Sequence, residues 1–157
     1  MPHPAAPHLV ARDAGIPLDL AGMLKSYEVL KNTFDVVMVE GAGGFLVPIS
    51  ETQTLADFAV EIALPVIMVV DIRLGCINHA LLTALAIRHH QLPFAGWVAN
   101  CTSYPTCYYE ENIKTLTNML KEQFGAELYG VVPFQSEFKA PYTLESIKKV
   151  SSLISLK

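Results

Sequence analysis

The chain has 157 residues, of which 52% are hydrophobic and 17% charged, and this composition predicts one folded domain over residues 1–157 rather than a disordered chain. A net charge of -4 without a Lys/Arg block argues against a nucleic-acid or acidic-membrane surface, and the longest apolar run is too short to span a bilayer. Three cysteines without a CxxC pair, and no signal-peptide pattern, favour a reduced cytoplasmic location and argue against a cysteine metal site.

Helical periods and short continuous apolar runs alternate along the chain. Runs that are apolar throughout are typical of parallel strands buried on both faces, so the predicted class is α/β with a doubly wound, mostly parallel sheet. The predicted elements, in chain order, are a helix at 20–30, a strand at 36–39, a helix at 55–63, a strand at 66–70, a helix at 77–87, a strand at 94–99, a helix at 113–124, a strand at 128–132 and a last helix at 144–154.

Four loops of chemical interest each follow the carboxyl end of a predicted strand. They cover residues 40–44, 71–78, 100–102 and 133–137. Because ligands of open α/β sheets bind beyond the carboxyl ends of the strands, we expect these loops to converge on one edge.

The first loop places Glu40 at the tip of a predicted strand, followed by Gly41, Ala42, Gly43 and Gly44. A carboxylate there is a suitable Mg²⁺ ligand, and glycines let backbone N–H groups approach a phosphate closely. The alternative is a plain tight turn with a solvated glutamate.

The second loop enters a helix through Gly75, Cys76, Ile77 and Asn78. Free N–H groups at a helix start favour an anion, and the alternative is an ordinary helix start. A nucleophilic role for Cys76 would be helped by that position, but the neighbouring sequence contains no His–acid arrangement to support it.

The third and fourth loops contain residues suited to a nucleotide base. The Asn100 side chain has both donors and an acceptor for the edge of a purine, or it serves turn formation. Pro133, Phe134 and Gln135 either frame a base or simply end the strand.

Together these segments resemble dethiobiotin synthetase, and the similarity covers nearly the whole chain. The alternative is a neighbouring ATPase or amidoligase family of the same fold, and the stretch Leu-Gly-Cys-Ile-Asn-His at 74–79, which related ATPases of this fold lack, argues against it. The matching segments are residues 6–8, 39–48, 64–67, 74–79 and 95–100.

The resemblance implies a P-loop NTPase-like three-layer fold and an Mg²⁺- and ATP-dependent ligase of biotin biosynthesis. One amine of 7,8-diaminononanoate takes up CO₂ as a carbamate, ATP phosphorylates the carbamate, and the second amine closes the cyclic urea. The resemblance also implies a homodimer in which the helix after Gly75 reaches the partner's site.

The resemblance assigns roles residue by residue. Glu40 would be the Mg²⁺ ligand, and the segment 41–43 would lie against the phosphates. Gly75, Cys76, Ile77 and Asn78 would bind the substrate carboxylate. The base would be met by Asn100, Cys101, Pro133, Phe134 and Gln135.

Departures from the family concern both catalysis and stability. No Gly-Lys pair of a phosphate loop occurs in the sequence, so we expect this chain to be inactive by itself, either as part of a longer synthetase or as a non-catalytic binding or dimerising remnant. Asn112 stands where the family has an aromatic hydroxyl, with Tyr108 or Tyr109 as possible substitutes, and Cys101 stands where an acidic residue is common. Without the central phosphate-loop strand, we expect the strands at 36–39 and 66–70 either to pair with each other or to expose apolar surface, with poor stability.

Overall fold

The computed structural model describes residues 6–16, 18–103, 107–136 and 142–156. The chain is organised in two compact units, Met1–Leu64 with His89–Leu92, and Pro65–Arg88 with Pro93–Lys157. In the described residues the helices are α1 (Pro7–Asp13), α2 (Leu20–Thr33), α3 (Leu55–Ile62), α4 (Cys76–His89), α5 (Tyr109–Phe124) and α6 (Leu144–Ser151), and the strands are β1 (Val66–Asp71), β2 (Phe94–Asn100) and β3 (Glu127–Val132).

The second unit is built around a parallel sheet in the order β1-β2-β3. Both strand pairs are parallel, so each connection must cross back over the sheet, and α4 and α5 supply these crossovers. The α/β class with parallel strands is therefore confirmed.

A single hydrophobic cluster joins this sheet to α4 and α5. Trp97 of β2 is fully buried in it, between apolar residues of β1 and of both helices. The adjacent Gly96 cannot carry a side chain without strain, because a Cβ there would lie 2.6 Å from the Tyr129 ring. The buried cluster consists of Met68, Val70, Ile72, Cys76, Ala80, Ala84, Trp97, Ala99, Cys101, Leu116, Leu120 and Ala126.

The first unit contains α1, α2 and α3, whose ends are set by local capping. Asp19 caps α2 by accepting a hydrogen bond from the Gly22 amide at 2.7 Å. Thr54 and Asp57 form a capping box at the start of α3. Tyr27 of α2 packs edge-to-face on Phe58 of α3 with ring centroids 6.5 Å apart, which ties these two helices together.

The predicted strand at 36–39 is wrong. Residues 36–40 form no strand and pair with no other strand in the described part of the chain, and the side chains of Val36 and Met38 are 81% and 86% exposed. An apolar run supplies the side chains of a buried strand, but the ladder also needs a partner backbone.

Among the described residues, the strand β1 of the second unit also lacks a neighbouring strand on one side. It pairs with β2 on one side, and no described strand lies on its other side. Val69 is consequently 64% exposed. Of the two expected outcomes, exposed apolar surface is the one observed.

The last helix ends earlier than predicted. The helix α6 stops at Ser151, and Ile154 instead forms an antiparallel bridge with Gly130 of β3. A Cβ at residue 130 would overlap the Leu153 carbonyl oxygen. The glycine in β3 therefore permits this close approach of the C-terminal segment, a tertiary contact that helical periodicity does not reveal.

Candidate functional site

The carboxyl ends of the three parallel strands meet at one edge of the second unit. Asp71 ends β1 opposite Asn100 of β2, which in turn lies opposite Val132 of β3. The ladder continues past the strands, because the Ile72 amide donates to the Asn100 carbonyl oxygen at 2.9 Å and the Cys101 amide to that of Val132 at 3.0 Å. The expected convergence is thus confirmed for the loops after these three strands, within the described residues. Glu137, at the end of the fourth predicted loop, lies outside them.

The turn between β1 and α4 has the geometry of an open helix start. Gly75 has a φ of +88°, which favours glycine, and the Cys76 amide donates to the Arg73 carbonyl oxygen at 3.0 Å. The side chains of Cys76 and Ile77 pack on the core, whereas Asn78 is exposed. The buried position of Cys76 does not suit a nucleophile. The Cys76 and His79 amides are already hydrogen-bonded to backbone carbonyl oxygens, so the polar groups available here are the remaining first-turn N–H groups and the Asn78 side-chain amide.

The end of β2 is joined to α5 by a side-chain hydrogen bond. Cys101 Sγ donates to the Tyr109 hydroxyl oxygen at 3.0 Å. Burial, followed by the bond to Cys101, raises the pKa of Tyr109 to about 12. Burial likewise raises the pKa of the Cys101 thiol. Both groups are therefore neutral near pH 7 and give the site no charge of their own.

This bond distinguishes between the two tyrosines that were candidates for the family's aromatic hydroxyl. Tyr109 reaches the strand ends, whereas Tyr108, in a left-handed conformation with φ of +65°, is 74% exposed. Asn112 is half-buried on α5.

The end of β3 has a polar atom suited to a ligand. The Gln135 Oε1 atom is buried and accepts no hydrogen bond from the residues that the structure describes, a costly state for a polar group. The neighbouring Phe134 packs against the core, and Asn100 on the adjacent strand is half-buried. An amide oxygen without a donor after β3, and a half-buried amide at the end of the adjacent strand, are groups suited to the polar edge of a nucleotide base.

The segment 40–44 lies in the first unit and is exposed in most of its residues. Glu40 follows the unpaired run rather than the tip of a strand, so the expected placement at a strand tip is wrong. Gly43 and Gly44 have φ values of +89° and +120°, which form the expected tight turn. Gly41 and Ala42 are exposed on the same turn.

Glu40 borders a groove of about 460 Å³ between α2 and residues 37–40, with Asp19 at its margin and Tyr27 and Phe58 on its walls. No group of three or more His, Cys, Asp or Glu side chains suited to hold a metal occurs in the described ranges. A single exposed carboxylate is compatible with Mg²⁺ that takes its other ligands from phosphate and water, which is how this ion commonly binds.

Two residues at the strand ends, Asp71 and Thr102, make a contact that the sequence did not predict. Thr102 donates from its hydroxyl and its amide to the Asp71 carboxylate, at 2.8 Å and 3.3 Å. Neither residue stands out locally, because the contact joins two loops that are far apart in the sequence and meet only through the parallel pairing of β1 and β2.

A family comparison agrees with this architecture. The model of the AAA domain family AAA_26 matches residues 1–142. This family is of the P-loop NTPase type, includes dethiobiotin synthetase and supports nucleotide binding, typically with Mg²⁺, in hydrolase- or ligase-type enzymes. Among the described residues, no helix has the length and apolarity needed to cross a membrane. Since the match spans most of the sequence and the α/β fold agrees with it, the chain belongs to the AAA domain family of P-loop NTPase type.

Proposed function

We propose that this chain is a dethiobiotin synthetase-like protein that binds an adenine nucleotide and 7,8-diaminononanoate at the carboxyl edge of its sheet. The observation that carries the proposal is the meeting of three strand-end loops there, with the open start of α4 on one and the unpartnered Gln135 oxygen on another. Family membership supports the nucleotide, and the 74–79 stretch supports the diamino acid.

The neutral groups around Asn100 suit a base rather than a phosphate. Tyr109 and Cys101 stay protonated near pH 7, so they offer polarity without charge. The Asn100 amide has donors and an acceptor, and the Gln135 oxygen can accept from an exocyclic amine such as that of adenine. An adenine base would therefore relieve the unpaired oxygen by donating from its 6-amino group, a position at which guanine has a carbonyl oxygen that cannot donate.

The start of α4 suits the carboxylate of the diamino acid. Helix starts present N–H groups and the positive end of the dipole, which favour an anion. Gly75 has no side chain, and a Cβ at this position would have no atom within 4 Å, so the space next to this turn is open. The ATP phosphates would supply the activating group for carbamate formed from CO₂, and Glu40 is the residue proposed to hold Mg²⁺.

Binding experiments test this proposal directly. We expect the purified chain to bind Mg-ATP more tightly than Mg-GTP in calorimetric titration, with Asn100→Ala weakening ATP roughly tenfold, the scale of one hydrogen bond to a buried polar partner. Asn118→Ala, on the exposed side of α5, is the matched control. Equal affinity for both nucleotides, or equal loss in both variants, would contradict the assignment of the base.

Turnover is a separate measurement. Mass spectrometry after incubation with 7,8-diaminononanoate, bicarbonate and Mg-ATP detects dethiobiotin. We expect ligand binding without product from these 157 residues alone, because the sequence has no Gly-Lys phosphate loop. Product formation would overturn the inactive assignment and support the synthetase activity.

A dimerising role is the second candidate, and the surface of α4 favours it. Leu82 and Leu85 are exposed on this helix, and apolar side chains a turn apart are typical of helix pairing. We propose that the chain forms a homodimer through α4. Light scattering after size exclusion tests this: Leu82→Lys should give monomers, and Lys114→Ala, on the exposed side of α5, should not change the mass.

A further inference from the structure

The Asp71 carboxylate contacts two separate loops at once. Its Oδ1 atom accepts hydrogen bonds from the Thr102 hydroxyl at 2.8 Å and the Thr102 amide at 3.3 Å. Its Oδ2 atom lies 3.1 Å from the Arg73 Nε atom. The two oxygens therefore connect the loop after β2 with the turn that leads into α4.

Arg73 extends this connection to the helix. Its amide donates to the Asp71 carbonyl oxygen at 3.0 Å, and its own carbonyl oxygen accepts from the Cys76 amide at 3.0 Å. The position of Arg73 therefore affects the first turn of α4. A continuous series of contacts runs from Thr102 through Asp71 and Arg73 to Cys76.

We propose that Asp71 is a positioning residue that couples the loop bearing Asn100 and Cys101 to the turn that opens α4. This inference rests on the proposed function, in which the first loop meets the nucleotide base and the second binds the carboxylate of the diamino acid. A ligand that orders one loop then favours the bound arrangement of the other. By linkage, each ligand increases the affinity of the other by the same factor.

The backbone offers a competing route between the same loops. The Ile72 amide donates to the Asn100 carbonyl oxygen, and this bond alone holds the strand ends side by side. A substitution at Thr102 distinguishes the two routes, because it removes the shorter of the two hydrogen bonds to Asp71, that of the hydroxyl at 2.8 Å, and leaves the bond between Ile72 and Asn100. Thr102 is exposed, so Thr102→Val, which has the same shape, is compatible with folding.

Hydrogen exchange measured by NMR tests the coupling without any ligand. The reporters are the amides of Cys76 and His79, both hydrogen-bonded in the turn that opens α4, with the Leu120 amide in the core of α5 as a reporter of global unfolding. We expect Thr102→Val to speed exchange at Cys76 and His79 by roughly threefold to tenfold, the effect of one lost hydrogen bond, with Leu120 unchanged. Thr102→Ser, which keeps the hydroxyl, should restore the original rates.

Two further variants provide a second perturbation and a control. Arg73→Gln should speed exchange at the same two amides, because it removes the ion pair from the other end of the series. Thr115→Val, on the exposed side of α5, should leave them unchanged. Unchanged exchange at Cys76 and His79 in both Thr102→Val and Arg73→Gln would overturn the coupling.

A ligand measurement separates this inference from the proposed function. Mg-ATP is titrated with and without 7,8-diaminononanoate, and the acid should tighten ATP by roughly fivefold, the lower range for coupled sites. Thr102→Val should reduce this ratio towards one while Thr102→Ser keeps it. Two ligands that bind without affecting each other would overturn the coupling, whereas no binding together with the expected exchange pattern would overturn the proposed function alone.

Discussion

Cys101 and Tyr109 form a hydrogen bond that joins the end of β2 to the first turn of α5, with Cys101 Sγ 3.0 Å from the tyrosine oxygen. The two bonded groups are weak acids, and both are at least partly buried at the edge of the candidate site. Burial raises the pKa of both groups and keeps them protonated near pH 7, because it opposes the charged form of each. The hydrogen bond identifies Tyr109, rather than the exposed Tyr108, as the hydroxyl that reaches the strand ends.

The first prediction concerns stability at alkaline pH. The pKa of Tyr109 is 10.0 in an ordinary setting and about 12 in the folded chain, so the unfolded chain releases this proton first. The contribution of the protonated Tyr109 hydroxyl to the free energy of unfolding is complete below pH 10 and is lost as the pH rises to about 12. In urea unfolding across this range, Tyr109→Phe should lose less stability with rising pH than the unsubstituted chain.

Tyr108→Phe is the control for this experiment, because its ring is 74% exposed. It should follow the unsubstituted chain. Identical pH dependence in the Tyr109→Phe variant would rule out Tyr109 as a contributor. Near pH 7 the same variant should lose about 1 kcal/mol, because the Cys101 thiol is left without its partner.

The second prediction concerns Gly96 in the central strand. A Cβ at this position would lie 2.6 Å from a ring carbon of Tyr129 and 2.7 Å from the Glu127 carbonyl oxygen. Gly96→Ala should therefore reduce the free energy of unfolding by about 2 kcal/mol, the usual effect of overpacking. Circular dichroism during urea unfolding measures the loss.

Gly125→Ala provides the comparison, because Gly125 has a φ of +69° but no atom within 4 Å of a Cβ. It should lose about 1 kcal/mol through backbone strain alone. A larger loss at residue 125 than at residue 96 would contradict the close packing inferred for Tyr129.

Much of the second unit could be predicted from the sequence because its signals are local. The apolar run at 66–70 and the helical spacing that follows it correspond to β1 and α4 within a few residues. Proline and glycine mark the limits of other elements in this unit, with Pro93 before β2 and Gly125 after α5. The strand ends then follow from parallel pairing, so Asn100 and the start of α4 were correctly placed at one edge.

The errors have a different physical origin. The run at 36–39 is as apolar as β1, but a strand requires a neighbour for its backbone, and composition does not report whether one is present. The contact between Asp71 and Thr102 joins residues 31 positions apart, so no local pattern predicts it. The early end of α6 depends on a bridge between Gly130 and Ile154, which is also a tertiary contact.

The third prediction concerns association through β1. Its outer edge is unpaired within the described residues, and Val69 is 64% exposed. Unpaired edges with apolar side chains favour strand-to-strand association, and a lysine there opposes it. Val69→Lys should therefore lower the concentration-dependent light scattering of the chain. Leu74→Lys, at an exposed position outside the strand, adds the same charge as a control, and equal reduction by both would indicate a charge effect instead.

The last prediction concerns the capping box of α3 and stability in acid. The Thr54 amide donates to the Asp57 carboxylate at 2.6 Å, and this bond lowers the pKa of Asp57 from 3.8. The contribution of the Asp57 carboxylate to the free energy of unfolding is therefore present above pH 3.8. It is lost as the pH falls through the lower pKa that Asp57 has in the folded chain. Asp57→Ala should cost about 1 kcal/mol near pH 7, the usual effect of losing a helix cap.

The stability of the Asp57→Ala variant should also depend less on acid pH, because the variant lacks a carboxylate whose protonation destabilises the folded chain. Asp13→Ala serves as the control, since the Asp13 side chain is 73% exposed in a surface pair with Arg12, and such pairs contribute little. Urea unfolding at pH values on both sides of 3.8 measures both effects. If Asp57→Ala and Asp13→Ala reduce stability equally at neutral pH, the capping box does not stabilise α3.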